Sequence, residues 1–483
     1  MSSCIRFNKF NKYFKYILLT TLFRYFNICL LGYNHNGTFE KVSLINFLYD
    51  LFNTHSKIDL SNFRMTELLF NFIGISIFSF FTRLYELYIS GKHIKYFFQI
   101  NDPFFVAQVE ISRKYRDSFP DDFETIQTKN CLYKFKNCII NNTSIWIYIL
   151  IFFVWVIQEI LTILFSDFLK DIDYWFFEIL IVTIIFSKIF LKQIYTHQKL
   201  AIIINLIPCI FKTATIILRF ESDEPTIYTK YPWLIPAGII FYLLLIAINA
   251  FINCSIKSFL DLKYISTSQL LMFYGLVGTV ICIMTCIINT HVPCSDNNNP
   301  SFINKNMCQV YFKNKLYFDN LEFYFSSLNE EDFLVKVIRI IIIITDSITF
   351  FLKQFFYILV IKYTDPVHIT FAVPIYYIIK KIVLPSNNLI RDNTFFLYTS
   401  NFKPARYVLD MSGDVVCFIG FLIYLEIIEL NIYGLNYNLR KNIIKRGKEN
   451  DLFIFDFTEI LTEDDEDESN KSYTTENNEL SEI

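Results

Sequence analysis

The chain has 483 residues, of which 53% are hydrophobic, 18% aromatic and 19% charged, with a formal net charge of −2. That apolar content is more than one or two soluble domains can bury, so the composition excludes an ordinary globular enzyme and points to a membrane protein. Basic residues fall in short clusters between apolar runs and make no continuous stripe, which excludes nucleic acid as a partner.

A hydrocarbon core of ~30 Å takes about 20 apolar residues of helix, because every backbone N–H and C=O must pair inside the segment. Ten windows meet that requirement, at 15–34, 68–89, 145–165, 174–192, 199–218, 233–255, 268–290, 333–361, 366–384 and 412–432. The opening "MSSCIRFNKFNKYFKYILLTTLF" has no small-residue cleavage site and is read as an uncleaved first span. "IWIYILIFFVWVIQEILTILF" and "SQLLMFYGLVGTVICIMTCIINT" are the strongest windows. The fold class predicted is therefore all-α: a polytopic membrane protein of about ten transmembrane helices.

Lys and Arg are retained on the cytoplasmic side during insertion. They place in the cytoplasm the N-terminal residues 1–14, the long loop 91–143 and the stretches "KQIYTHQK", "KSFLDLKYIS" and "NLRKNIIKRGK". An even number of spans puts both termini there. The tail 436–483 is acidic and without apolar period, which predicts disorder, and 219–232 is a linker. The opposite face receives the sequon at Asn36, a glycosylation candidate, and the polar loop 291–332. Cys294 and Cys308 share that loop and can form a disulfide in an oxidising compartment. The topology suits the plasma membrane or an endomembrane of the ER or Golgi.

Two layouts carry a family resemblance. In "FFEILIVTIIFSKIFLKQIYTHQKLAIIINLIPCIF" an apolar helix ends in a Lys-rich turn and a new one starts at once, and "YTDPVHITFAVPIYYIIKKIVLP" is its counterpart in the second half. From about residue 145 to 435 the chain resembles the drug/metabolite transporter superfamily, in its EamA-like and nucleotide-sugar transporter-like members. "LEIIELNIYGLNYNLRKNIIKR" resembles the end of uncharacterised protist proteins of that superfamily. The resemblance implies two inverted five-helix repeats, here 15–218 and 233–435, around a midplane substrate site that opens alternately to each side. It also implies a basic pair on the ninth helix, as in the phosphate-exchanging plastid members.

Charged residues inside spans cost about 2.5–3.5 kcal/mol each on insertion scales, so each faces protein or water. Setting aside those nearest the span ends leaves the cations Arg24, Arg83, Lys188, Lys212, Lys353, Lys380 and Lys381, and the anions Glu159, Glu178, Asp346, Glu426 and Glu429. Asp346, Thr349 and Lys353 fall on one stripe of the eighth span and line a cavity or satisfy neighbouring helices. In the ninth span Asp365 is placed to cap, Pro366 to open and Pro374 to bend the helix. Tyr376 and Tyr377 each stand four residues before Lys380 and Lys381. Those lysines either snorkel to headgroups or clamp a phosphate or other anion, with Lys188 and Lys212 opposing them. Asn249 and Asn253 pair one turn apart, and Gly275 and Gly278 permit close packing.

The sequence carries no phosphate-cradling Gly-rich loop, no Ser/His/Asp or Cys/His set and no metal-ligand spacing, so neither a cofactor nor a metal is expected. The function predicted is a secondary carrier, not an enzyme, moving a small polar, phosphorylated or nucleotide-linked metabolite. The partners expected are the bilayer and a small anionic substrate, with homodimerisation left open. The alternative is a receptor-like or scaffold membrane protein without transport.

Overall fold

The computed structural model describes residues 5–7, 63–89, 145–165, 177–191, 200–201, 203–208, 210–211, 214, 234–262, 265–294, 308, 310–330, 332–364, 366–370, 375, 404–424 and 427–430. Among these the protein is mostly helical, as apolar runs that must close their own hydrogen bonds require. The helices are α1 (Arg64–Ile89), α2 (Ile145–Leu164), α3 (Phe177–Leu191), α4 (Leu234–Leu262), α5 (Thr267–His291), α6 (Leu321–Glu330), α7 (Phe333–Tyr363), α8 (Pro366–Thr370) and α9 (Pro404–Tyr424). The strands are β1 (Ile5–Phe7), β2 (Val310–Phe312), β3 (Lys315–Tyr317) and β4 (Ile428–Leu430).

Four described helices are long and apolar enough to cross a membrane: Arg64–Ile89, Trp146–Leu164, Pro236–Leu260 and Thr267–His291. The chain is membrane-embedded. These helices coincide with the predicted windows 68–89, 145–165, 233–255 and 268–290. The predicted window 412–432 is only partly helical. Its helix, α9, ends at Tyr424, just before Glu426 and Glu429, and Ile428–Leu430 instead pair antiparallel with Ile5–Phe7. Pro366 opens α8 at the first helical position, where its missing N–H costs nothing. Pro374 lies outside the described residues.

The chain divides into two compact units, one of Met1–Asn11, Ile194–Ile203 and Ile419–Ile483, the other of Lys12–Gln193 and Ile204–Phe418. The first contains the β1–β4 ladder, with Ile5 opposite Leu430. The second contains α1 to α8 and the β2–β3 hairpin.

Within the second unit α1 packs most extensively on α5 and next on α7, while α4 packs on α3 and α2 bridges α4 and α5. Small residues set the approach. A Cβ at Gly278 would stand 2.2 Å from the Phe72 ring, and one at Gly74 would stand 2.6 Å from the Ser347 Cβ, so neither position admits alanine without movement. The close packing expected at Gly275 and Gly278 is present on α5. On that helix Tyr274, Gly278, Cys282 and Cys286 make a buried stripe, and Leu276, Val280, Ile283 and Ile287 an exposed one. Both stripes are apolar. A helix greasy on its exposed face at helical spacing is facing lipid tails, not water.

Both ends of the α1–α5 pair are fastened. At the α1 N-terminus the Asp319 carboxylate accepts hydrogen bonds from the Met65 and Thr66 amides and from the Thr66 hydroxyl, each at 2.8 Å. These satisfy amides that the first turn of a helix leaves unpaired. Its neighbour Asn320 caps α6 by accepting from the Phe323 amide at 2.8 Å. At the other end the Arg83 guanidinium donates to the Ser266 hydroxyl at 3.0 Å and to Glu86 at 3.2 Å, and the Ser268 hydroxyl donates to Glu86. Ser266 is also the N-cap of α5, accepting from the Gln269 amide at 3.2 Å. α1 and α5 are therefore antiparallel, as one span leaving and another entering the same two faces must be.

The described residues 308, 310–330 and 332, read from sequence as part of a polar loop, fold into a cap on the Asp319 end. A disulfide joins Cys294 to Cys308, with Cα atoms 6.5 Å apart. The β2–β3 turn places Lys313 and Asn314 at φ 50° and 63°, the left-handed pair that a two-residue hairpin turn demands. Phe63, Val310, Tyr317, Tyr324, Val335 and Ile338 bury against one another beneath it. Arg339 of α7 is fully buried in this layer. Its guanidinium lies 3.8 Å over the Tyr324 ring and donates to the Tyr324 carbonyl at 3.1 Å and the Ser327 hydroxyl at 3.3 Å.

Candidate functional site

The sequence-predicted site residues are dispersed. Asp346 is buried on α7 at 5% exposure, and its carbonyl accepts the Thr349 hydroxyl at 2.8 Å. The Lys353 ammonium stands 4.8 Å over the Phe350 ring. Lys188 is exposed in the last turn of α3, where a cation complements the helix dipole. Lys212, Tyr376, Tyr377, Lys380, Lys381 and Asn36 lie outside the described residues.

A different set converges between α2, α4, α5 and α7. Trp155 and Glu159 are one turn apart on α2 and share a face. Trp155 is buried at 2% and stacks on Tyr274 of α5 with ring centroids 4.0 Å apart and planes at 25°. On its flank is Tyr357 of α7, at 6.2 Å and 36°. The Tyr357 hydroxyl donates to the Asn253 Oδ1 of α4. Phe72 of α1 closes the back of the cluster, edge-on to Tyr274 at 5.1 Å.

The hydrogen bonding of this cluster is incomplete. Tyr274 is 0% exposed and its Oη has no hydrogen-bond partner among the described residues; Asn253 is 1% exposed and its Nδ2 has none either. Among the described residues Glu159, partly buried, makes neither a hydrogen bond nor an ion pair. Buried polar groups are ordinarily paired, and an unpaired one costs about 1–3 kcal/mol, more when charged. The cluster holds one carboxylate, one phenol, one amide donor and two stacked rings, closed off by protein except at Glu159. They offer no nucleophile with an adjacent base, and no group of three or more His, Cys, Asp or Glu among the described residues could hold a metal.

Asn253 and Glu159 stand out in the sequence as polar residues within spans. Tyr274, Tyr357 and Trp155 do not, because in a chain with 31 Tyr and 54 Phe an aromatic residue in a span carries no signal. The one available signal was the spacing of Trp155 and Glu159, an aromatic and an acid one turn apart on a mostly apolar helix. No protein-family model matches the chain, and no curated protein matches it.

Proposed function

We propose that the protein is a secondary carrier that moves a small polar metabolite across a membrane by alternating access, with no chemical step. The observation that carries this reading is the convergence of four helices on polar groups buried with hydrogen-bonding capacity unfilled. In a bilayer such groups are costly unless a solute or water meets them, and transport pathways are where they are retained. Ten spans in two inverted halves, 15–218 and 233–435, would frame the pathway. The β1–β4 ladder holds Ile5–Phe7 beside Ile428–Leu430, which supports placing these two segments on one side of the membrane, the cytoplasmic side of an ER, Golgi or plasma membrane on the charge reading. The reading of the cargo as a phosphorylated or nucleotide-linked anion rests on Lys380 and Lys381 and on the resemblance to nucleotide-sugar transporter-like proteins.

The test is counterflow in proteoliposomes of purified protein, with a panel of amines, sugars, phosphates and nucleotide sugars. A carrier gives saturable uptake stimulated by substrate on the opposite side. Uptake that is linear in concentration and indifferent to the opposite side for every solute would remove the proposal. The interlocked Gly74, Gly275 and Gly278 contacts and the disulfide-clasped cap favour a second reading, a rigid scaffold working through its acidic tail. Deleting 450–483 abolishes the role of a scaffold and leaves a carrier's transport intact.

A further inference from the structure

We infer that α7 crosses the bilayer beside the four uniformly apolar helices, and that belts of exposed aromatic side chains at its two ends seat the second unit in the two headgroup layers. The partner is a lipid surface. One belt consists of Tyr85, Tyr88, Trp146 and Tyr363, the other of Phe325 and Phe333. The inference stands whether or not the protein carries a solute.

α7 stands apart from those four helices because it carries Lys336, Arg339, Asp346 and Lys353. Charged residues are tolerated in a span when they face protein, and these are so arranged. Arg339, Asp346 and Lys353 are seven residues apart and share one stripe. Arg339 and Asp346 are buried, and the Lys353 ammonium lies 4.8 Å over the ring of buried Phe350. Lys336 turns toward the cap and donates to the Asn329 carbonyl at 3.2 Å. The opposite stripe, Phe333, Ile340, Ile344 and Ile348 with Leu334 and Ile341 beside it, is exposed and wholly apolar. It adds to the lipid face of α5, on which α7 packs.

The helix supplies its own ruler. From Phe333 to Tyr363 it rises ~45 Å at about 1.5 Å per residue, the thickness of a bilayer with its headgroup regions. At the cap end Phe333 is 82% exposed and Phe325 of α6 46%, bordered by exposed Glu330 and Asp332. Arg339 on the Tyr324 carbonyl and Lys336 on that of Asn329 hold α6 along the first turns of α7. At the other end α1 runs parallel to α7, with Gly74 against Ser347 and the Phe78 ring 5.6 Å from that of Phe351. Tyr85 and Tyr88, 64% and 84% exposed, therefore stand level with the last two turns of α7. Lys257 of α4 donates to the Lys362 carbonyl at 3.0 Å, which brings the α4 C-terminus to the same level. There Phe259 packs on Tyr148 of α2 at 4.6 Å, so Trp146, 73% exposed, lies at that level too. Tyrosine and tryptophan gather at this depth because the ring body is apolar and its polar tip reaches water.

The experiment uses the full chain in nanodiscs and two footprinting reagents, with labelled residues located by mass spectrometry. Hydroxyl radicals are generated in the water, and a lipid-soluble diazirine forms a carbene among the acyl chains. Val280, Ile283 and Met284 of α5 calibrate lipid, and Tyr311 of the hairpin calibrates water. Ile340, Ile344 and Ile348 are expected to take up carbene as heavily as the α5 residues and to be oxidised several-fold less than Tyr311. Tyr88, Trp146 and Phe333 are expected to be oxidised in bilayers of short acyl chains and shielded in bilayers of long ones. Oxidation of the three isoleucines to the extent of Tyr311, without carbene uptake, would overturn the crossing; belt residues indifferent to chain length would overturn the belts. Two variants give an independent reading. Ile344→Lys is expected to lower the membrane-integrated yield several-fold, and Phe333→Lys to leave it nearly unchanged, because a lysine in a headgroup layer reaches water. Equal yields from the two would overturn the placement.

Discussion

The cap and the mid-bundle cluster bury polar groups to opposite ends. Asp319 and Arg339 are at 1% and 0% exposure; the Asp319 oxygens accept from amides and a hydroxyl, and the terminal guanidinium nitrogens of Arg339 meet a hydroxyl, a carbonyl and a ring, while the Tyr324 Oη beside them is left unfilled. Tyr274 and Asn253 are buried as deeply and retain unfilled hydrogen-bonding capacity beside Glu159. Burial of the first kind is largely offset because partners replace water, whereas burial of the second kind has no such offset.

The sharpest way to break the comparison is at Arg339. Arg339→Ala removes a cation–π contact and two charge-assisted hydrogen bonds from a fully buried site and should lower stability by about 3 kcal/mol. Thermal unfolding in detergent, followed by tyrosine fluorescence, measures it. A loss below about 1 kcal/mol would mean that the guanidinium is redundant.

Asp319 comes next, and pH isolates it. Burial raises its carboxyl from 3.8 to about 6, against hydrogen bonds from Thr66, Met65 and Asn320 that pull the other way. The folded state therefore holds the proton more tightly than the unfolded chain. Its stabilising contribution is full below about pH 4 and falls as pH rises through about 6, by at most about 1.4 kcal/mol per pH unit. Acidification from pH 7 to 5 should raise the thermal stability of the folded chain. Asp319→Asn should flatten that dependence; an unchanged pH profile in the variant would assign the effect to another group.

How much of this was legible in the sequence follows the range of the interactions. Membrane-length apolar runs are local, and the helices Arg64–Ile89, Trp146–Leu164, Pro236–Leu260 and Thr267–His291 lie where hydropathy put them. The cap was hidden because its order is long-range: Asp319 reaches an amide 254 residues away, and no window along the chain contains both partners. Arg339 escaped notice because it stands near a span end, where a cation ordinarily snorkels to water, and here it turns inward onto Tyr324. At the candidate site Glu159 was visible as a charge in a span, but its aromatic neighbours come from α5 and α7.

The smallest effect expected has the opposite sign. Tyr274→Phe deletes a buried, unpaired hydroxyl and should leave stability unchanged or raise it by up to about 1 kcal/mol. Parallel melts of this variant and Arg339→Ala give the contrast directly. Destabilisation of Tyr274→Phe by more than about 1 kcal/mol would mean that the phenol is structurally engaged.

One consequence follows from the way α1 is held. Asp319 grips its first turn and Ser266 and Ser268 its last, so the helix cannot slide or tilt along α5 without breaking bonds at one end or the other. The two behave as a single post. On the carrier reading, any rocking within this unit would fall to helices outside that clamp, with α1 and α5 as the fixed pillar.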